Sequence, residues 1–212
     1  VACGRGMVVA VPTRERGVWL ERSGLDGTTC RDGKFEPICG SVSGAADSCG
    51  GTGGGREGAL RTVSSILMGD ENAPREFHDV RGFASVKEAT YELPGKTVRV
   101  AVVSGTKNAG ELLDAIRRGE KEYDFVEVMC CPGGCINGGG QPYVPAKIKN
   151  FVDYRSLRAK ALYDEDAEKT LRKSHHNPIV QEVYANYLGS WGGEKAHHIL
   201  HTKYYAQPKY RI

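Results

Sequence analysis

The sequence lacks any run of 18 or more apolar residues, which excludes a transmembrane helix of ordinary length. Its first residues, VACGRGMVVAVPTRERG, contain neither the long apolar region nor the small-residue cleavage site of a secretory signal peptide. An excess of charge of one sign is also absent, since 29 Lys and Arg residues face 26 Asp and Glu residues. No basic stretch is interleaved with aromatic residues. We therefore expect neither a membrane span nor a nucleic-acid partner.

No internal repeat and no low-complexity segment interrupts the 212 residues, which suffice for one large domain or two small ones. Cysteine, by contrast, occurs seven times, an odd number: Cys3, Cys30, Cys39, Cys49, Cys130, Cys131 and Cys135. A chain of this size does not need disulfide bonds to hold a core. This usage therefore favours a reducing compartment in which thiolates act as metal ligands or nucleophiles.

Apolar runs predict a sheet in the middle of the chain. The stretches VRVAVV (Val98 to Val103) and DFVEVM (Asp124 to Met129) are typical of strands, and a helical pattern from Asn108 to Gly119 lies between them. Strand, helix and strand in this order predict a βαβ unit with parallel strands and a right-handed crossover. Alternation from Ser85 to Leu93 predicts a half-buried strand, and MVVAV (Met7 to Val11) predicts a further short one.

Helical patterns precede this sheet. We expect helices from Thr13 to Gly24 and from Thr52 to Met68, and one face of the second collects the apolar residues Ala59, Leu60, Val63, Ile66 and Leu67. The segment from Asp26 to Gly50 is rich in Gly, Ser, Asp and Cys and is predicted to be a loop. The second helix begins with the glycine-rich stretch GGTGGGRE, which exposes backbone N–H groups to whatever lies before it.

After Pro145 the pattern is helical and highly charged. In NPIVQEVYANYLG, Asn177 is a predicted N-cap, Pro178 takes the first helical position and Gly189 ends the helix. The tail AHHILHTKYYAQPKYRI shows no regular element, and we interpret the charges of LYDEDAEKTLRKS as a solvated helix face. The predicted fold is α/β. One Rossmann-like lobe (1–150), with a parallel or mixed sheet flanked by helices, precedes a helical C-terminal extension (151–212).

Residues 128 to 142, VMCCPGGCINGGGQP, follow the last predicted strand, and ligands of open α/β sheets bind at the carboxyl ends of parallel strands. Cys131 and Cys135 are separated by Pro-Gly-Gly, which favours a tight turn whose backbone lies close to a bulky ligand. Thiolates on such a backbone are typical of iron–sulfur clusters. The alternatives are a zinc site, although only one compact cysteine group is present, a disulfide or nucleophilic thiol, and a glycine turn with incidental cysteines.

The string Met129 to Pro142, MCCPGGCINGGGQP, resembles the third cluster-binding motif of the [FeFe]-hydrogenases, Met-Ala-Cys-Pro-Gly-Gly-Cys-x-x-Gly-Gly-Gly-Gln-Pro. The resemblance extends over most of the chain, through PTRERGVWLERSGLD, SGAADSCGGTGGGREGALRT, RKSHHNP and HHILHTKYY. The last two strings resemble a portion that is a separate small subunit in some members of the family.

This resemblance implies that Cys131 binds the cubane [4Fe–4S] part of an H-cluster and that Cys135 bridges the cubane to a two-iron centre. Met129 would pack beside the two-iron centre, although ordinary core packing explains it equally well. The implied activity is the reversible interconversion of H₂ with two protons and two electrons, with an electron carrier such as ferredoxin. The implied setting is a reducing, anaerobic compartment such as the cytoplasm, a hydrogenosome or a plastid.

The sequence also departs from the family pattern. The two earlier motifs, Thr-Ser-Cys-Cys-Pro and Met-Pro-Cys-Thr, are missing, and with them the other two cubane cysteines and a proton-relay thiol. The chain thus resembles the C-terminal half of the catalytic domain, and we expect it to be inactive until an N-terminal half or a partner subunit completes the site. Cys130 replaces Ala, Cys49 replaces Phe, and Gly55 and Arg56 replace Val and Met. We interpret Cys130 as a bystander and Cys49 as a small buried residue.

Two other functions fit the same residues. One is a hydrogenase-like iron–sulfur protein without H₂ chemistry, such as an assembly factor or a sensor, although such relatives tend to lose the Cys-Pro-Gly-Gly-Cys pattern that is whole here. The other is a structural or regulatory subunit without metal. Cys3, Cys30 and Cys39 have no assigned role. We interpret the pairs His175–His176 and His197–His198 as structural, because adjacent helical side chains do not share a face.

Overall fold

The computed structural model describes residues 11–31, 33, 42–69 and 73–206, which form a three-stranded sheet flanked by helices. The N-terminal helices are α1 (Thr13–Arg22), α2 (Gly44–Ser48) and α3 (Gly54–Met68). The sheet region contains β1 (Val86–Leu93), β2 (Lys96–Ser104), α4 (Thr106–Arg117) and β3 (Phe125–Met129). The C-terminal helices are α5 (Ala146–Lys149), α6 (Tyr154–Glu168), α7 (Pro178–Val183) and α8 (Glu194–Leu200).

The strands lie in the order β1-β2-β3, with β1 antiparallel and β3 parallel to the central β2. The helix α4 connects the two parallel strands, so the predicted βαβ unit and the α/β fold with a mixed sheet are confirmed. Of the strand predicted from Met7 to Val11, only the last residue lies within the described part of the chain.

The core forms on both faces of β2, because this strand is almost continuously apolar, as buried strands of α/β proteins are. One cluster joins β2 to α3 and β1: Leu60, Phe77, Leu93, Val98, Val100 and Val102. The second cluster joins β2 to α4: Ala101, Val103, Ala109 and Leu112. Because β2 is buried on both faces, the register of its parallel partner β3 is fixed. The position at which β3 ends is therefore fixed as well.

The buried face of the helix α3 is mostly polar. Leu60 is buried, but the other apolar residues of the predicted face are exposed, Ile66 to 73%. The buried side chains are instead largely polar or charged: Arg56, Glu57, Arg61, Ser64 and Ser65. The apolar pattern of α3 therefore does not mark the face that packs within the described chain.

Six alternating charges form a closed ring between α3, the segment 73–81 and the end of α6. Arg61 binds Glu57 at 2.8 Å and Asp166 at 2.6 Å. Arg172 also binds Asp166 at 2.6 Å, and Arg81 binds Glu57 at 2.6 Å. Glu76 closes this charge ring by binding both Arg81 and Arg172. The side chains of Glu57, Arg61 and Asp166 are fully buried.

The charge ring corrects one prediction, because Asp166 belongs to the charged stretch that we interpreted as a solvated helix face. Burial opposes ionisation of Asp166, but hydrogen bonds from Arg61 and Arg172 outweigh it and lower the pKa to about 2. The Asp166 carboxylate therefore stabilises the fold above its ordinary pKa of 3.8. This contribution is lost as the pH falls from there toward 2.

Two helices form where none was predicted. The short α2 lies in the predicted loop from Asp26 to Gly50, and its first N–H groups donate to the carbonyls of Leu171 and Arg172 at 2.9 and 3.1 Å. The helix α8 lies in the tail and buries Ala196. Both are shorter than helices that are stable on their own, so contacts with the rest of the chain determine them.

The predicted helix start at Asn177 is confirmed, since its side-chain oxygen accepts a hydrogen bond from the Ile179 N–H at 2.9 Å. Pro178 takes the first helical position, and α7 continues as one π-helical segment to Leu188, just before Gly189. None of the helices described by the structure has both the length and the hydropathy to cross a bilayer.

We expect Asp166→Asn to lower the free energy of unfolding by about 3–5 kcal/mol, because it removes one partner of a buried ion network and leaves Arg61 undercompensated. Urea unfolding followed by circular dichroism measures the loss. Asp164→Asn is the matched control, since Asp164 lies on the same helix in an exposed pair with Lys160. Equal unfolding midpoints for the two variants would contradict a stabilising charge ring.

Candidate cluster-binding site

The cysteine loop, residues 130–140, begins where β3 ends, at the carboxyl edge of the two parallel strands, as predicted. Cys131 is half-buried and Cys135 is exposed, and both thiols are free. Met129 is half-buried at the end of β3, and Cys130 is exposed. The structure thus places the three predicted site residues in one short segment, and the thiols of Cys131 and Cys135 form no disulfide there.

The loop is tightly closed and docked on the glycine segment that precedes α3. The Gly134 N–H donates to the Cys131 carbonyl at 2.9 Å, which forms the turn between the two thiols. The Thr52 N–H donates to the Gly133 carbonyl at 3.2 Å, and the Ile136 N–H donates to the Gly50 carbonyl at 3.2 Å. The thiols are therefore fixed relative to the start of α3.

Glycine is required at the centre of this contact. Gly134 has a φ of +93°, and a Cβ there would lie 2.7 Å from both the Gly50 carbonyl oxygen and the Thr52 nitrogen. A Cβ on Gly138 would lie 3.5 Å from the sulfur of Cys131, so the backbone around that thiol is bare. We call this arrangement the glycine cradle: Gly134 lets the loop pack against the segment before α3, and Gly138 leaves the main chain beside the Cys131 sulfur without a side chain.

The helix α6 holds the far side of the loop. Arg158 donates one hydrogen bond to the Ile136 carbonyl and one to the Pro142 carbonyl, both at 3.0 Å. The helix α1 meets the same loop, because the Arg14 N–H donates to the Gly140 carbonyl at 3.0 Å. These contacts were not predicted, since arginines that bind backbone carbonyls carry no sequence pattern.

The start of α3 depends on two charged residues that sequence analysis also missed. The residue before this helix is Gly53, which has no side chain to cap it. Glu127 of β3 takes that role, accepting from the Gly53 N–H at 2.7 Å and from the Arg56 N–H at 2.8 Å. Lys87 of β1 donates to the Thr52 carbonyl at 3.2 Å. The detectable signal is a helix start made of glycines together with a short strand that carries one half-buried acid.

Arg56 is fully buried, and its guanidinium nitrogens have no hydrogen-bond partner within the described part of the chain. The guanidinium carbon lies 5.4 Å from the centre of the Phe125 ring. Desolvation lowers the pKa of Arg56 to about 10, although the charge of Glu127 opposes this shift. The side chain is still protonated at neutral pH.

The expectation that Cys49 is a small buried residue was wrong, because its side chain is exposed. The Cys49 thiol donates to the Ala45 carbonyl at 3.2 Å. Partial desolvation, and then the negative charges of Glu127 and Asp47, raise the pKa of this thiol, so it stays protonated at neutral pH. Cys30 is also exposed, and Cys3 and Cys39 lie outside the described residues.

The donor set fits part of an iron–sulfur cluster. Among residues 11–31, 33, 42–69 and 73–206, no three His, Cys, Asp or Glu side chains are grouped so that they could hold a metal ion. A closed tetrahedral zinc site is therefore not formed by these residues alone. Cys131 and Cys135 offer two soft sulfur donors on a bare backbone, and two further donors would complete a four-iron cubane.

Several of the described histidines contact other side chains. His175 and Thr62 are hydrogen-bonded at 3.0 Å, and the rings of His175 and His176 lie 4.2 Å apart. The ring centres of His197 and His201, one helical turn apart, are separated by 4.1 Å. These contacts support the structural interpretation of the histidines.

Fold and site together define the class: an α/β lobe that presents two thiols in a glycine cradle at the end of a parallel strand. Comparison with known families gives two matches, "Iron only hydrogenase large subunit, C-terminal domain" over residues 7–139 and "Iron hydrogenase small subunit" over residues 152–207. The chain belongs to the iron-only hydrogenase large-subunit family, as the resemblance predicted.

Relatives of two kinds are similar to the chain. Iron hydrogenase 1 of Clostridium pasteurianum is 38% identical over 94% of this chain and 35% of its own length. Cytosolic iron-sulfur assembly component 3 of Rattus norvegicus is 34% identical over 90% of this chain and 37% of its own length. The family thus contains oxidoreductases and proteins named for iron–sulfur assembly, and it implies iron–sulfur cofactors.

Solved structures give the same result for the fold. A variant of the [FeFe]-hydrogenase HydA1 from Chlamydomonas reinhardtii superposes with a TM-score of 0.65 at 34% identity, covering 90% of this chain and 53% of that one. The chain therefore spans about a third of the length of its curated relatives and about half of the solved hydrogenase.

We expect Gly134→Ala to lower the free energy of unfolding by about 1–3 kcal/mol, because it combines a positive φ with an overlap against the Gly50 carbonyl. Gly139→Ala is the control, since a Cβ there meets no atom within 4 Å. Urea unfolding and the alkylation rates of Cys131 and Cys135 in the metal-free chain report the change. Indistinguishable variants would show that the loop does not need its close contact.

A second prediction concerns pH. Desolvation, opposed by Glu127 and reinforced by Arg56, lowers the pKa of Lys87 to about 8 from an ordinary value of 10.5. Between these values the unfolded chain holds more protons than the folded chain, so the contribution of Lys87 to the free energy of unfolding rises with pH from 8 to 10.5. Urea unfolding of the wild type and Lys87→Met across this range measures it. A difference that does not change with pH would contradict the burial of a charged Lys87.

Proposed function

We propose that this chain is part of an [FeFe]-hydrogenase and supplies Cys131 and Cys135, two of the four cysteine ligands of an H-cluster. The observation that carries this proposal is the pair of free thiols held in the glycine cradle within an intact Cys-Pro-Gly-Gly-Cys pattern. When bound, the H-cluster supplies the redox chemistry that interconverts H₂ with protons and electrons.

Each residue has a distinct part in the proposal. Cys131 would hold the cubane, and Cys135 would hold it together with the two-iron centre. Met129, half-buried at the end of β3, contributes an apolar wall beside that centre. The glycines around the thiols place backbone close to the cluster, where N–H groups stabilise its negative charge.

The other two ligands come from an N-terminal half of the catalytic domain or from a separate subunit. Two findings support this: the chain spans about a third of the length of its hydrogenase relative, and no three His, Cys, Asp or Glu side chains of the described residues are grouped to hold a metal ion. We divide the chain near residue 150 into a cluster-binding lobe and a small-subunit-like extension, in keeping with the two family matches.

Electron transfer requires a redox partner, and we propose a small carrier of the ferredoxin type. A cluster with exposed thiolates needs a reducing, anaerobic setting. The relatives include one named periplasmic and several named cytosolic. We therefore propose a reducing, anaerobic setting without assigning it to one compartment.

The second candidate is an iron–sulfur assembly component without H₂ chemistry. It is favoured by relatives of that name at 34% identity, close to the 38% of the hydrogenase. The two candidates differ at the two-iron centre, because an assembly component needs no bridging thiolate. A metal-free structural subunit is the third candidate, and it predicts no iron at all.

Anaerobic reconstitution separates the three candidates. The chain is combined with a partner that carries the two missing motifs, and iron, acid-labile sulfide and H₂ evolution are measured. We expect four cubane irons, a further two-iron centre and H₂ evolution. A cubane without H₂ evolution would favour the assembly component, and absence of iron would favour the structural subunit. The 212-residue chain alone should hold no stable cubane.

In the complete assembly, Cys135→Ser should abolish H₂ evolution, because an alcohol does not replace a bridging thiolate. Cys130→Ala is the matched control, since Cys130 is exposed and Ala is the family residue at that position. Gas chromatography measures H₂, and iron analysis shows whether the cubane is retained. Activity in Cys135→Ser, or a large loss in Cys130→Ala, would overturn the assignment of ligands.

A further inference from the structure

The peptide group between Thr52 and Gly53 is held from both sides. Its carbonyl accepts a hydrogen bond from Lys87 Nζ at 3.2 Å, and its N–H donates to Glu127 Oε1 at 2.7 Å. The N–H of Thr52 itself donates to the Gly133 carbonyl of the cysteine loop at 3.2 Å. A basic and an acidic side chain therefore fix the peptide unit on which the loop rests.

Lys87 and Glu127 lie in one row of paired residues across the three strands, on the same face of the sheet. Lys87 of β1 and Glu127 of β3 are each paired with Val102 of the central strand. Val102 belongs to the apolar cluster that includes Leu60 of α3, so this row of side chains lies on the sheet face that α3 covers. Because neighbouring strands are about 4.8 Å apart, the Cα atoms of Lys87 and Glu127 are roughly 10 Å apart, one on each side of the start of α3.

Charge and burial make this arrangement specific. Lys87 is 8% exposed, and it also donates to the Gly82 carbonyl at 3.0 Å. The charges of Glu127 from β3 and of Arg56 from α3 both act on Lys87, and on β2 its paired residue is the apolar Val102. Both oxygens of Glu127 bind N–H groups at the positive end of the α3 dipole. These bonds offset the desolvation of the carboxylate.

We infer that Lys87 and Glu127 are positioning residues that clamp the Thr52–Gly53 peptide and thereby set the cysteine loop against α3. Neither residue contacts the ligand thiols in the structure. They act through Thr52 and Gly133, which connect the clamp to the turn between Cys131 and Cys135. The position of the loop follows from this chain alone, whereas the consequence for a bound cluster rests on the proposed function.

The first test measures amide hydrogen exchange by NMR in the metal-free 212-residue chain. In Lys87→Met and in Glu127→Ala we expect exchange at Thr52 and Gly53 to become at least tenfold faster, because the clamp is lost. The amides of Leu112 and Ala115 in α4 should keep their rates. Unchanged rates at Thr52 and Gly53, or an equal acceleration in α4, would overturn a positioning role.

Matched variants separate the clamp from general effects of charge. Lys121→Met and Glu88→Gln remove an exposed ion pair between β1 and the segment before β3, and they should leave the exchange rate of Thr52 unchanged. Lys87→Arg keeps a cation that can reach a carbonyl, and we expect it to restore at least half of the lost protection. Failure of Lys87→Arg to restore protection, while the two controls behave as wild type, would count against a role for the positive charge.

The second test uses the assembled protein after reconstitution. Lys87→Met should change the EPR line shape of the reduced cubane and accelerate the loss of iron to a chelator several-fold, relative to Lys121→Met. A spectrum and an iron-loss rate identical to the control would overturn the clamp as a determinant of cluster geometry. If the wild type itself binds no cluster but its exchange pattern depends on Lys87, the proposed function fails and the clamp stands.

Discussion

The charge ring is the interaction on which the rest of this structure depends. Each buried ion of the ring would cost several kcal/mol without compensation, and partners of opposite charge supply that compensation. Here every member contacts two members of opposite sign, and the sum of the six charges is zero. The ring ties α3 to α6, and these two helices hold the cysteine loop from opposite sides. The geometry of the two thiols thus depends on charges that never touch them.

Polar groups carry much of the specificity of this lobe, since the two apolar clusters on the faces of β2 are small. Apolar contact determines which face of the sheet α3 packs against, but it does not fix the position of α3 along that face. Glu127 and Lys87 remove that freedom, because they bind one peptide group at the start of the helix. The helix is therefore fixed at one end by the clamp and along its length by the ring. This division of roles explains why α3 buries arginine and glutamate while leaving Ile66 exposed.

Local patterns predicted the parts of the fold that local forces determine. The apolar run of β2, the glycine ends of α4 and the N-cap of α7 all carry their own signals, and the α/β fold followed from them. The interpretation of Asp166 as solvated was wrong because its burial depends on Arg61, 105 residues away. The same reason applies to α2, whose first N–H groups bind carbonyls near residue 171. For the site, the motif led to Cys131 and Cys135, whose role as ligands stays a prediction, but Glu127 and Lys87 emerge only when three strands are brought together.

The charge ring also constrains how this sequence can change. A reversal of sign at one position places two like charges in contact inside the protein and unbalances the whole set. Only a second, compensating reversal at a neighbouring position restores the alternation. The six residues are therefore expected to evolve as coupled pairs, with long intervals in which none changes. Since Glu57 and Arg61 lie in one family segment and Asp166 and Arg172 in the other, this coupling makes the two segments share one evolutionary history.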